Sequence, residues 1–203
     1  MSENNTDKFQ EAAISFLEND FNQCFEQIRY YDAQIVEILK YLATFYTTIA
    51  SIAIALFQFT IEKIIDFSAA LIIGLSIALL FGVCMFYLIV RNRVYFVFCM
   101  RYINEQRSLF LSAKPLGFEN KSRMIFDYKK PPFFNILSSQ SLWLYVLAIL
   151  NSALLVFILY IANMSSGIIA IACPMLFLAQ LISAIAYLKS RENKSASRAI
   201  FGK

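Results

Sequence analysis

The chain has 203 residues, 59% of them apolar, with 18 Lys and Arg against 14 Asp and Glu, four Cys and no His. Without His the commonest acid–base group and metal ligand is missing; no two Cys have ligand or redox spacing, and no Walker-type or dinucleotide Gly pattern occurs. This composition argues against an enzyme and implies neither a cofactor nor a metal site.

The first forty residues are polar and acidic, with net charge −5 and no early apolar stretch, so no signal peptide is expected and the first span must serve as its own insertion signal. Leu17, Phe21, Cys24, Ile28, Tyr31, Ile35, Ile38, Leu42, Phe45, Ile49, Ile52, Leu56 and Phe59 alternate in steps of four and three, uninterrupted by Pro or Gly. The pattern predicts one helix from Lys8 to Ile61, roughly 80 Å long at the standard rise, half of it outside the bilayer. Opposite the heptad, the first apolar run carries a polar strip: Thr44, Thr48, Ser51, Ala55 and Gln58, with Thr47 alongside. A hydroxyl-lined face behind a sealed apolar one suits the wall of a water-filled path built from several subunits. Ser and Thr hydroxyls also bond readily to their own helix backbone, which leaves ordinary packing as the alternative.

In the second run Ala70, Gly74, Ala78 and Gly82 recur every four residues, a spacing that lets another helix approach closely, whether from the same chain or another copy. No breaker follows between Gly82 and Pro115, so this helix too continues past the membrane. At 100° per residue Tyr95, Phe98, Cys99, Tyr102, Ile103, Gln106, Leu109 and Phe110 share one broad face, suited to pack on the N-terminal heptad. Arg93, Arg101, Asn104 and Arg107 fall on another. The middle segment, 91–141, has net charge +6, and its attraction to the acidic N-terminal helix supports an antiparallel stalk.

A basic, Phe-containing connector then runs from Lys114 to Lys130 and ends at Pro131 and Pro132. Arg93, Arg101, Arg107, Lys121, Arg123, Lys129 and Lys130 interleave with Tyr95, Tyr102, Phe118, Phe126 and Tyr128. Guanidinium groups pair with phosphates and aromatic faces stack on bases, so the combination fits a nucleotide or single-stranded oligonucleotide. Lys129 and Lys130 equally fit anionic lipid headgroups. In the third and fourth runs Asn151 and Gln180 are expected to form interhelical hydrogen bonds, and Pro174 to kink its helix. The basic, Ser-containing last fifteen residues read as a flexible tail.

The four apolar runs, Tyr41 to Ile61, Phe67 to Val90, Leu142 to Ala162 and Gly167 to Leu188, are 21 to 24 residues long and free of charge. Each can cross a hydrocarbon core of about 30 Å. The absence of Asp, Glu, Lys and Arg from all four argues against proton-driven transport. The two short connections hold a single basic residue, Lys63, whereas 91–141 holds nine against three acidic and 189–203 holds five against one. The positive-inside rule therefore places the middle segment and both termini in the cytoplasm. The expected organisation is a cytoplasmic N-terminal helix (1–40), a first transmembrane hairpin (41–90), a cytoplasmic helical extension and connector (91–141), a second hairpin (142–188) and a cytoplasmic tail (189–203): an all-α membrane protein.

Lys40 to Ser51, reading KYLATFYTTIAS, and Arg93 to Leu111, reading RVYFVFCMRYINEQRSLFL, resemble small four-span membrane proteins of bacterial anti-phage defence. Among these the chain looks most like the membrane effector subunit of the Hailong system, whose partner is a nucleotidyltransferase that makes single-stranded DNA. The resemblance implies a homo-oligomeric, ion-channel-like effector of the bacterial inner membrane, controlled by an oligonucleotide. The Kiwa membrane subunit, with a comparable span count, implies instead a sensor or scaffold for a cytosolic partner.

Overall fold

The computed structural model describes residues 3–62, 66–112, 117 and 130–195, without the side chains of 3–10, 110 and 193–195. The described chain is all-helical: α1 (Glu3–Ile61), α2 (Ser68–Ser112), α3 (Ser139–Ile161) and α4 (Ser166–Ser195). All four are long and apolar enough to cross a membrane, which makes this a multi-pass membrane protein. The absence of Pro and Gly from α1 lets it continue unbroken through Lys40, and α2 likewise continues past its apolar run. The chain divides into two compact units, 1–34 with 94–133 and 35–93 with 134–203, so α1 and α2 each contribute to both.

In the first unit α1 and α2 are antiparallel: Asp20 meets Gln106, Gln27 meets Cys99 and Tyr31 stacks on Tyr95. Their core is Cys24, Ile28 and Ile103, flanked by Phe21, Phe25, Phe96, Cys99 and Met100. α2 buries more than the one face its aromatic pattern suggests. Ile103 packs into this core, Val94 and Val97 are buried elsewhere around the helix, and Tyr95, Phe98, Tyr102 and Leu109 stay exposed.

In the second unit Ala53 of α1, Leu71 and Leu75 of α2, and Ile158 and Ile161 of α3 form one apolar cluster of the core. Here the heptad does not hold to its end. Ile52 is 52% and Phe59 47% exposed, and Tyr46, Ala53 and Phe57 face inward instead. A straight α-helix drifts about 20° per heptad from a 3.5-residue repeat, so a seam that starts at Leu17 has rotated away by Ile52. The strip of small residues on α2 divides for a similar reason. A four-residue step advances about 40° around the helix, so Ala78 and Gly82 are buried while Ala70 and Gly74 are exposed.

The connections are built from local hydrogen bonds. Between α1 and α2, Phe67 N–H donates to Thr60 Oγ1 at 3.1 Å and Ser68 N–H to Asp66 Oδ1 at 2.9 Å. Ser138 caps α3, its hydroxyl accepting from Ser141 N–H at 3.2 Å. At the other end Asn163 adopts φ 54°, with Asn163 N–H bonded to Tyr160 O and Met164 N–H to Leu159 O, the Schellman pattern of helix termination. Asn is among the few L-residues that enter this left-handed region readily. α4 continues through Pro174 and on to Ser195. The first part of the expected flexible tail, Lys189 to Ser195, is therefore helical, which the lack of Gly or Pro there permits. Residues 196–203 lie outside the described residues.

Candidate functional site

Two sets of polar side chains stand out, one in each unit. In the first unit the cationic residues of α2 are held within the chain. Arg101 Nε donates to Pro131 O at 3.1 Å, and its guanidinium lies 4.6 Å from the centre of the Phe133 ring. Asn104 Nδ2 donates to Lys130 O at 2.7 Å. These contacts fix the end of the connector on α2, with Phe133 only 1% exposed and edge-on to Phe98. Arg107 lies over Phe25 at 4.9 Å and Phe21 at 5.4 Å, so it faces α1. Burial against these rings pulls its pKa downward.

Asp20, which the sequence pattern does not single out, bridges the two helices. Its Oδ2 accepts from Tyr102 Oη at 2.7 Å and Gln106 Nε2 at 2.9 Å. The Asp20 hydrogen bond, then burial, raises the Tyr102 pKa, favouring the phenol that donates to the carboxylate. Lys130 is exposed, while Lys121, Arg123, Lys129, Phe118, Phe126 and Tyr128 lie outside the described residues.

Arg93 belongs to the second unit. It is 7% exposed, and its Nη1 donates to Gln140 Oε1 of α3 at 2.8 Å. Deeper within that unit, a polar layer joins α1, α3 and α4. Tyr46 Oη donates to Asn151 Oδ1 at 2.6 Å, and Asn151 Nδ2 donates to Gln180 Oε1 at 2.8 Å. Gly82 of α2 completes the layer, because a Cβ there would collide with both Tyr46 Oη and Asn151 Oδ1. The expected interhelical role of Asn151 and Gln180 is thus met by their bond to one another. Tyr46 was hidden beside the heptad residue Phe45, and a 3.6-residue period would have found it.

The hydroxyl strip lies on the outer side of α1. Thr44, Thr47, Thr48, Ser51, Ala55 and Gln58 are all exposed. Three of the hydroxyls bond back to their own helix: Thr44 to Lys40 O at 3.1 Å, Thr47 to Ala43 O at 2.7 Å and Ser51 to Thr47 O at 2.9 Å. Of the packing strip, Gly74 has open space where a Cβ would stand. Among the described residues no cluster of three or more His, Cys, Asp or Glu could hold a metal.

No protein-family model, curated protein or solved structure matches this chain.

Proposed function

We propose that the protein is an ion-channel-like effector of a bacterial anti-phage defence system, a homo-oligomer of about four copies in the inner membrane. Its gating ligand is a nucleotide or single-stranded DNA oligomer on the cytoplasmic side, made by a cytosolic nucleotidyltransferase partner. The observation that carries this reading is the exposed polar strip of α1, from Thr44 to Gln58, within a charge-free run that matches the thickness of a bilayer. Lipid tails offer it no hydrogen bonds, whereas several copies turning this face inward would surround water. The basic excess of 91–141 and 189–203 supports cytoplasmic termini and a cytoplasmic stalk made by the outer parts of α1 and α2. A phosphate ligand would draw Arg101 and Arg107 from the contacts they make within one copy. The long helices would then carry the change into the membrane, provided the ligand prefers one arrangement.

Purified protein in liposomes tests this directly. It should pass ions on adding single-stranded DNA oligomers, with conductance changed by Thr48→Leu or Ser51→Leu. Affinity should fall steeply with salt and with Arg101→Glu. Silence with every oligonucleotide length and nucleotide supports a second reading, a membrane scaffold that recruits a cytosolic defence protein without conducting. One observation favours that alternative: Arg93, Arg101, Asn104 and Arg107 all have partners inside the chain. Co-purification of a cytosolic partner with a non-conducting membrane protein would establish it.

A further inference from the structure

In the second unit a groove of about 330 Å³ separates α1 from α3. Three alanines open it, Ala50 and Ala53 on one side and Ala153 on the other, and Leu75, Leu154 and Phe157 form its walls. The only polar side chain along it is Tyr46, whose hydroxyl is engaged by Asn151. Water needs two to four polar partners to reside in a cavity, and this lining does not supply them. An empty groove would forfeit dispersion contacts along every wall.

All of these residues lie within the charge-free runs, where the surrounding medium is hydrocarbon. Ile54 and Leu150 line the groove and are also exposed, so it opens onto the surface formed with Val146 and Ile149, which are exposed and apolar as well. The groove is therefore continuous with the lipid-contacting face. Its size also fits. An apolar cavity of about 150 Å³ takes up benzene, and at that ratio about a dozen carbons fit here, much of one acyl chain.

We infer that this groove is an acyl-chain site, filled by one tail of a membrane phospholipid inserted between α1 and α3. The lining has no cation or free donor for a headgroup, so the site selects by tail and not by headgroup. Because Ala50 and Ala53 are on α1, the tail acts as a removable part of the packing that holds α1 in place. This inference needs only the membrane-spanning reading and stands whether or not the protein conducts.

The test is photolabelling in phosphatidylcholine vesicles doped with phosphatidylcholine carrying a diazirine in its tail, with adducts mapped by mass spectrometry. Adducts at Leu150, Leu154 and Ile54 should exceed those at Ile73 and Ile77, which are exposed on α2, by several-fold. Ala153→Phe should remove that excess and leave the α2 adducts unchanged; Ala50→Phe closes the groove from its other wall if Ala153→Phe fails to fold. Equal labelling at both places, or an excess that survives both variants, overturns the inference. So does an Ala50→Cys variant that forms a disulfide between copies, which would assign the groove to a second copy of the chain.

Discussion

In the first unit α1 and α2 meet through bulky side chains and charge: Phe21 and Phe25 under Arg107, and Asp20 between Tyr102 and Gln106. In the second unit the same two helices meet where residues are small or neutral. Ala53 packs with Leu71 and Leu75, and Gly82 makes room for the Tyr46–Asn151 hydrogen bond. The difference follows from the surroundings each sequence is written for. Where charged residues are frequent, burying a ring or covering it with a guanidinium is favourable and holds a helix pair together. Inside lipid, an apolar side chain gains little by leaving the tails for another helix. Close backbone approach and interhelical hydrogen bonds then decide the arrangement. One helix of 59 residues thus contains two packing codes in succession.

Phe133→Ala should have the largest effect and should fall on the first unit. The ring is 1% exposed, packed by Phe98 and Arg101, so its removal leaves a cavity costing about 3–5 kcal/mol. Hydrogen exchange in detergent micelles should show loss of protection in α2 from Val97 to Gln106 and in α1 around Cys24. The layer around Asn151 should keep its protection. Equal loss in both units would mean that the packing codes are not separable.

Gly82→Ala should act on the other side of the comparison. The added methyl must displace the Tyr46 hydroxyl or the Asn151 amide, combining overpacking with a broken buried hydrogen bond. Overpacking costs roughly 1–3 kcal/mol, and hydrogen bonds between membrane helices average about 0.6 kcal/mol, so a total near 2–3 kcal/mol is expected. A thermal shift in micelles measures it, and Tyr46→Phe, which loses only the bond, should cost much less. If the two variants are equally destabilised, close approach at Gly82 does not matter and the hydrogen bond alone orders the layer.

Much of this was legible in the sequence, and the failures share a cause. Charge-free runs marked four membrane-crossing helices, the lack of breakers marked the length of α1 and α2, and isolated amides in apolar runs marked Asn151 and Gln180 for interhelical hydrogen bonds, though not for one another. Ile52 and Phe59 were misplaced because a repeat of seven was carried beyond the point where a straight helix keeps it in register. The destinations of Arg101 and Asn104 were not legible, because their acceptors are the backbone carbonyls of Pro131 and Lys130, and any residue supplies a carbonyl. Arg93 and Arg107 had side-chain destinations, Gln140 and the Phe21–Phe25 pair, that lie far away in sequence. Helical-wheel geometry separates the faces of one helix and is silent about what another segment brings to them.

The smallest expected effect separates the two halves of the small-residue strip. Gly74 has nothing within 4 Å of an added Cβ, so Gly74→Ala meets no clash of the kind that penalises Gly82→Ala. Alanine also has the higher helix propensity, by up to about 1 kcal/mol in water, and within one copy the variant should be neutral or slightly stabilised. Thermal unfolding at low protein-to-detergent ratio measures that monomeric response. The same variant measured at high ratio reports on assembly: if a second copy docks at Gly74, the methyl should weaken association while leaving the isolated chain intact. A response that is neutral at both ratios assigns Ala70 and Gly74 to lipid, and only Ala78 and Gly82 of the four would then be contacts between helices.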